Sequence, residues 1–212
     1  MKERPEPDHE PVSWTAAIRR SINRELPMER MLPDRQPAYV ASWVYVFGVI
    51  TIAALVWTIL SGAVLAFFGP QWWHDTSAGR FFNSLHLWSV QVFFVFMVLH
   101  LWAQFFGAGW RDGRAKTWVI GVVTFLVSIV AAFTGYLSQQ NFDAQWIAVN
   151  AKDAVNSTGV GALFNVLNFG QMYGLHVALV PAAIAILVVL HIVQVRLRGV
   201  VRPIEASEEE KP

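Results

Sequence analysis

Four long runs without Asp, Glu, Lys or Arg divide this chain: residues 42–68, 81–106, 117–138 and 172–195. Charged and polar residues return in short clusters between them. A helix rising about 1.5 Å per residue needs roughly 20 residues to cross a hydrocarbon core about 30 Å thick. Each run is long enough, so the pattern predicts four transmembrane helices forming an all-α membrane bundle. Before the first run, Trp14, Ile18 and Ile22, and less regularly Leu26, fall near one helical face, with Arg19, Arg20, Arg24 and Glu25 largely elsewhere. That spacing predicts a short amphipathic helix on the membrane surface; a plain solvated arm is the alternative. The chain therefore reads as a charged N-terminal arm (1–40), a four-helix domain (41–203) and an acidic tail (204–212) expected to fray.

Composition agrees with the pattern. Of 212 residues, 55% are hydrophobic and the mean hydropathy is +0.41, more apolar than a soluble domain of this size. There is no cysteine, which excludes disulfides, cysteine-held iron–sulfur clusters and thioether attachment of a cofactor to this chain. Of the sixteen Lys and Arg, seven precede the first run, three lie between the second and third (Arg111, Arg114, Lys116), and four begin at Arg196. Only Arg80 and Lys152 occupy the other two connections. The positive-inside rule then predicts both termini on the cytoplasmic side, in a bacterial plasma membrane. The arm lacks the short apolar core and small-residue cleavage site of a secretory signal.

The candidate chemistry is carried by histidine. His86 and His100 lie fourteen residues apart on the second run, His176 and His191 fifteen apart on the fourth. Ionisable side chains at membrane depth usually mark function, and imidazole is a common haem-iron ligand. Alternating spans put His86 and His176 near the outer face and His100 and His191 near the inner one, about 21 Å away along the helix. Fifteen residues rotate the second ligand by about 60° past whole turns; both spacings can still face a bundle interior. The first and third runs carry glycines fourteen apart, Gly48 with Gly62 and Gly121 with Gly135. By chain direction, Gly48 and Gly121 fall at the depth of His100 and His191, and Gly62 and Gly135 at that of His86 and His176. Residues without a Cβ at those depths give clearance for a flat macrocycle; tight helix packing is the alternative. For the histidines the alternatives are interhelical hydrogen bonds, proton relay or a non-haem metal. No carboxylate accompanies them at depth, which argues against a di-iron carboxylate site. His74, beside Trp72 and Trp73, reads as an interfacial residue, and His9 carries no signal.

The motifs together resemble the cytochrome b of quinol:cytochrome c (or plastocyanin) oxidoreductases, in the short four-helix form of chloroplast-type complexes. The matching residues span roughly 37–203: His86-Leu-Trp88, His100, Lys116-Thr-Trp118 with Gly121, Thr134-Gly-Tyr136, His176 followed by Pro181, and His191, Arg196 and Gly199…Pro203. The fifteen-residue second pair matches the short form. The resemblance implies two non-covalent b-type haems, the outer held by His86 and His176 and the inner by His100 and His191. It implies Arg114 at a haem propionate, Arg196 near the inner haem and inner quinone pocket, and Trp146 in an outer quinol pocket.

The implied activity is electron transfer from quinol across the membrane, as one subunit of a proton-translocating oxidoreductase complex. Implied partners are a Rieske-type iron–sulfur protein, a c-type cytochrome, a separate subunit carrying the C-terminal half of a full cytochrome b, membrane lipid and a second copy of the complex; no nucleic acid is expected. Three positions depart from the family. Asn83 replaces the arginine three residues before the first ligand, with Arg80 as a possible substitute. Gln139-Gln140 replaces a Pro-Trp pair, and Val46 falls near the position of a haem-anchoring cysteine. The rival readings are a di-haem anchor of a dehydrogenase or hydrogenase, an electron wire without quinol turnover, and a haem-free membrane subunit.

Overall fold

The computed structural model describes residues 13–204. The first residues of the arm, with His9, and the acidic tail from Glu205 lie outside the described residues. The chain divides into two compact units, Met1–Gln36 and Pro37–Pro212.

In the first unit, α1 (Trp14–Glu25) begins at Ser13, whose side chain accepts from the Ala16 N–H, satisfying a donor the first turn cannot pair internally. Trp14, Ile18 and Ile22 are all exposed, an unbroken apolar stripe. Pro27 ends the pattern, and the single turn α2 (Met28–Met31) follows it.

The second unit is built on α3 (Trp43–Phe68), α5 (Ser77–Phe106), α6 (Ala115–Leu137) and the continuous helical stretch from α8 (Phe169–Gly174) to α9 (Val180–Arg198). Among the described residues these supply four spans long and apolar enough to cross a membrane: Val44–Phe68, Ser77–Phe106, Ala115–Leu137 and Phe169–Arg198. Large apolar side chains such as Val49, Trp57, Trp88, Val95, Leu126 and Ile186 stay exposed. In a bilayer, that surface is the one that meets lipid. The principal contacts pair α3 with α5 and α6 with α9.

Two further helices lie in the connections between the spans. The short α4 (Pro70–Asp75) follows Gly69, which takes φ +80° at the end of α3 while its N–H still reaches the Leu65 carbonyl. That left-handed turn favours glycine, and the proline after it starts the next helix without a missing bond. The longer α7 (Phe142–Ser157) is capped by the Asn141 side chain, which accepts from the Ala144 N–H at 2.8 Å. It packs through Ala148 in a cluster with Leu137 at the end of α6, Val166 in the segment after α7, and Met172 of α8.

Between α8 and α9 the helix widens into a π turn, Leu175–Leu179, closed by the Val180 N–H on the Leu175 carbonyl. Pro181 follows at once, with no N–H to continue the α-helical ladder. A π turn holds one residue more than an α turn. His176 stands inside it, so the fifteen residues to His191 rotate the second imidazole less than a regular α-helix would.

The loop between α5 and α6 and the end of α9 are tied by arginines. Arg114 is buried, and its guanidinium donates to the carbonyls of Arg198 (3.0 Å), Gly199 (3.2 Å) and Val200 (3.4 Å). It also meets the Asp112 carboxylate at 3.3 Å. The end of α9 leaves carbonyls without helical partners, and a planar fork of five donors suits them. Arg198 returns the contact to the Gly113 carbonyl at 2.6 Å, and Arg111 donates to the Arg202 carbonyl. Arg114→Lys keeps the charge and loses the fork, leaving buried carbonyls unpaired at about 1–3 kcal/mol. The expected result is a lowered thermal midpoint of the detergent-solubilised protein, read by helical circular dichroism. An unchanged midpoint would contradict the capping role.

Candidate functional site

The four membrane-depth histidines come from α5 (His86, His100) and from the last span (His176, His191). They meet in the pairs the depths predict. The His86 and His176 rings are 6.1 Å apart between centres and nearly perpendicular, at 85°. His100 and His191 are close enough to interact electrostatically. Between the two levels lies an apolar layer of Ala54, Leu55, Phe93, Met97, Val180 and Ile184. Phe93 stands midway between its two histidines, seven residues from each. The site is therefore two polar levels separated by a largely apolar core.

Each histidine faces one glycine of the neighbouring helix. A Cβ built on Gly48 would stand 3.1 Å from the His100 ring, on Gly62 3.0 Å from His86, and on Gly121 3.1 Å from His191. On Gly135 it would overlap the His176 ring. The glycines occupy the depths expected of them, and the group nearest each is an imidazole.

The close approach has a hydrogen-bonding consequence. His86 Nδ1 reaches the Thr58 carbonyl at 3.0 Å, His176 Nδ1 the Ala131 carbonyl at 3.0 Å, and His191 Nδ1 the Thr117 carbonyl at 3.1 Å. In all three cases the acceptor lies four residues before the facing glycine. It is the carbonyl that the glycine's own N–H reaches in the helix ladder. Without a Cβ in the way, the imidazole lies against the helix and shares that acceptor. A carbonyl only accepts, so Nδ1 carries the proton, and in the neutral ring Nε2 keeps a free lone pair. Ser61 Oγ adds a second contact to His86 Nδ1 at 3.1 Å. His100 follows the same placement against Gly48, but its Nδ1 is shielded from solvent with no hydrogen-bond partner among the described residues. Among the described residues, Thr117 Oγ1, on the residue that receives His191, and Trp73 Nε1 near Tyr173 are also shielded without a partner.

Among the described residues there is no cluster of three or more His, Cys, Asp or Glu. Three or four protein ligands are the usual requirement for a bound zinc or non-haem metal. Each pair offers two imidazole lone pairs and no carboxylate, so it suits a metal whose other positions are filled by a ligand the protein does not supply.

The remaining candidates are placed differently. Arg114 is committed to the end of α9, and Arg196 is exposed on that helix. Trp146 is exposed on α7, stacked on Phe142 at 6.5 Å. Arg80 donates to the His74 carbonyl at 3.0 Å, and the His74 ring meets the Gln139 carbonyl at 2.9 Å. A cavity of about 270 Å³ opens one turn beyond His100 towards the end of α5, lined by Tyr39, Tyr45, Gln104 and Arg202 among others. Tyr45 and Arg202 line this cavity, and Arg196, expected near an inner quinone pocket, is not among its lining residues. Tyr45 lies three residues before Gly48 at the start of a span, and that proximity was the available signal.

Residues 91–212 match the family model described as cytochrome b (N-terminal)/b6/petB. A four-helix membrane protein with an imidazole pair at each of two depths fits that class, and the chain belongs to this family. The match covers His100, His176, His191, Gly121 and Gly135 and begins after His86. Similar chains include a cytochrome b6 of Heliomicrobium gestii, 24% identical over 189 residues, or 79% of this chain and 89% of that one. The menaquinol:cytochrome c reductase cytochrome b subunit of Bacillus subtilis (strain 168) is 26% identical over 208 residues, or 84% and 93% of the two chains. A solved hyperthermophilic respiratory Complex III shares the fold at TM-score 0.68 and 19% identity, covering 93% of this chain. This chain spans 57% of the chain it matches there. The protein is an integral membrane cytochrome b of the bc type, and membership of the family implies haem binding and interaction with quinol.

Proposed function

We propose that this chain is the di-haem cytochrome b subunit of a quinol:cytochrome c (or plastocyanin) reductase complex. His86 and His176 hold the outer b haem and His100 and His191 the inner one. The observation that carries the reading is the commitment of Nδ1 to a helix carbonyl in three of the four imidazoles, which leaves Nε2 available as a ligand. Two imidazole nitrogens sharing one metal ion, at about 2 Å each, would leave their ring centres up to about 6 Å apart. The 6.1 Å separation of His86 and His176 fits that requirement. The absence of a three-ligand cluster among the described residues favours a macrocycle as the source of the remaining ligands.

Haem bound there supplies reversible one-electron transfer. The chain's own residues do the rest. The carbonyls of Thr58, Ala131 and Thr117 fix the ring orientation of three ligands and make them more basic. The four glycines let those rings lie against the helices. Phe93, Ile184 and their neighbours hold the two levels apart in a medium without water. Quinol is oxidised near the outer ends of the spans, where α7 and the connection after it form part of the pocket with Trp146. Quinone is reduced at the inner cavity, where Tyr45, Gln104 and Arg202 offer polar groups to a ring of two carbonyls.

The fourteen-to-two distribution of Lys and Arg supports a plasma-membrane protein with both termini cytoplasmic. The partners in this reading are a Rieske-type iron–sulfur protein, a c-type cytochrome, a subunit carrying the remainder of a full cytochrome b, a second copy of the complex, and lipid. Affinity isolation of the tagged chain in mild detergent tests the assembly. The expected result is co-purification of an iron–sulfur protein with a Rieske-type paramagnetic signal, together with quinol-dependent reduction of the b haems. Recovery instead with a dehydrogenase or hydrogenase catalytic subunit would contradict it.

A further inference from the structure

Asn83 and Gln139 meet across the outer end of the bundle. Asn83 lies one turn outward of His86 on α5, so it shares that face of the helix. Gln139 lies four residues past Gly135, the glycine that faces His176, just after α6 has ended. The two side chains pair amide to amide. Asn83 Nδ2 donates to Gln139 Oε1 at 3.2 Å, and Gln139 Nε2 donates to Asn83 Oδ1 at 3.2 Å. A reciprocal amide pair is satisfied only when both side chains hold one relative placement. It therefore ties α5 to α6, two helices whose principal packing partners are α3 and α9.

Gln139 is anchored from a second side. Its backbone carbonyl accepts from the His74 ring at 2.9 Å, which links it to α4, and Gln140 after it turns away at φ +55°. The amide pair is thus held on the outer side of the His86–His176 level by three separate elements. Both residues are half-buried.

We propose that the Asn83–Gln139 pair is a neutral clamp that closes the outer end of the histidine cleft and keeps water from the His86–His176 pair. This makes both residues positioning residues for the outer site, and it rests on the haem reading above. The oxidised form of an iron held by two neutral imidazoles carries one more positive charge than the reduced form. Water stabilises the more charged form, so opening the clamp lowers the reduction potential of the outer site. The inner pair, about 21 Å away along α5, lies beyond its reach.

Spectroelectrochemical titration of the purified complex tests the clamp in wild type, Asn83→Leu, Gln139→Leu, the double variant, and the exchange Asn83→Gln with Gln139→Asn. Each single leucine variant is expected to lower the midpoint of the outer haem and leave the inner one in place. The double variant should move it no further than the larger single change, because one contact is being removed twice. The exchange keeps the same groups in opposite order and is expected to return the midpoint to that of the wild type. Additive shifts, equal movement of both haems, or failure of the exchange to restore the potential would overturn the clamp. Two haems at unmoved potentials would overturn the clamp alone, whereas a complex without haem would overturn the reading beneath it.

Discussion

Purified His176→Ala protein is expected to carry one b haem per chain where the wild type carries two, and His100→Ala is expected to lose the other one. The loss is large because neither position has a substitute. Among the described residues no third His, Cys, Asp or Glu stands with either pair. The one other described histidine, His74, is bonded to the Gln139 carbonyl. At His176, alanine also abandons the Ala131 carbonyl that Nδ1 shares with the helix ladder, so Gly135 is left beside a void. Haem extracted as its pyridine adduct gives the count per chain. Low-temperature spectra show which band has gone. Two haems retained in either variant would contradict the ligand assignment.

Gly135→Ala is expected to disturb the outer site far more than Gly62→Ala, although both glycines face that site. On helix propensity alone, either substitution would stabilise the protein by about 1 kcal/mol. At Gly135 the added Cβ overlaps the His176 ring, and overpacking of this kind costs about 1–3 kcal/mol, so the clash wins. At Gly62 the new carbon would stand 3.0 Å from His86, a gap that a shift of a few tenths of an ångström relieves. The expected outcome is reduced outer-haem occupancy and a lower thermal midpoint for Gly135→Ala, with near-normal haem content for Gly62→Ala. Equal effects at the two positions would show that the glycines serve general helix packing and not the imidazoles.

Much of this architecture was legible in the chain because bilayer thickness leaves few solutions. A run of 22 or more residues without a charge has to be a helix, and four such runs fix the bundle and the depth of every residue along it. The pairing of Gly48 with His100 and Gly135 with His176 followed from depth and chain direction. What depth cannot reveal is azimuth. Which atom fills the space beside a glycine depends on the rotation of both helices, and so the imidazole contact emerged only in the structure. The π turn at His176 is a related case: Pro181 signals a missing hydrogen bond, but not whether the helix kinks, breaks or widens.

The connections were less legible for a different reason. Asn83 and Gln139 are 56 residues apart, and each looked like an isolated departure from the family pattern. They form one contact, which no local reading of either position could supply. Arg114 shows the same limit: its charge is plain in the sequence, but the carbonyls of Arg198, Gly199 and Val200 that its guanidinium reaches lie 84 to 86 residues further along the chain.

Haem stoichiometry of the purified wild-type chain, read with its reduced-minus-oxidised spectrum, tests the central claim most directly. Two non-covalent b haems per chain are predicted, removable by acid acetone and resolved as two components in a redox titration. A chain that purifies folded and free of haem, or with a single haem indifferent to both His100→Ala and His176→Ala, would contradict the account and leave the histidines as interhelical hydrogen-bonding groups.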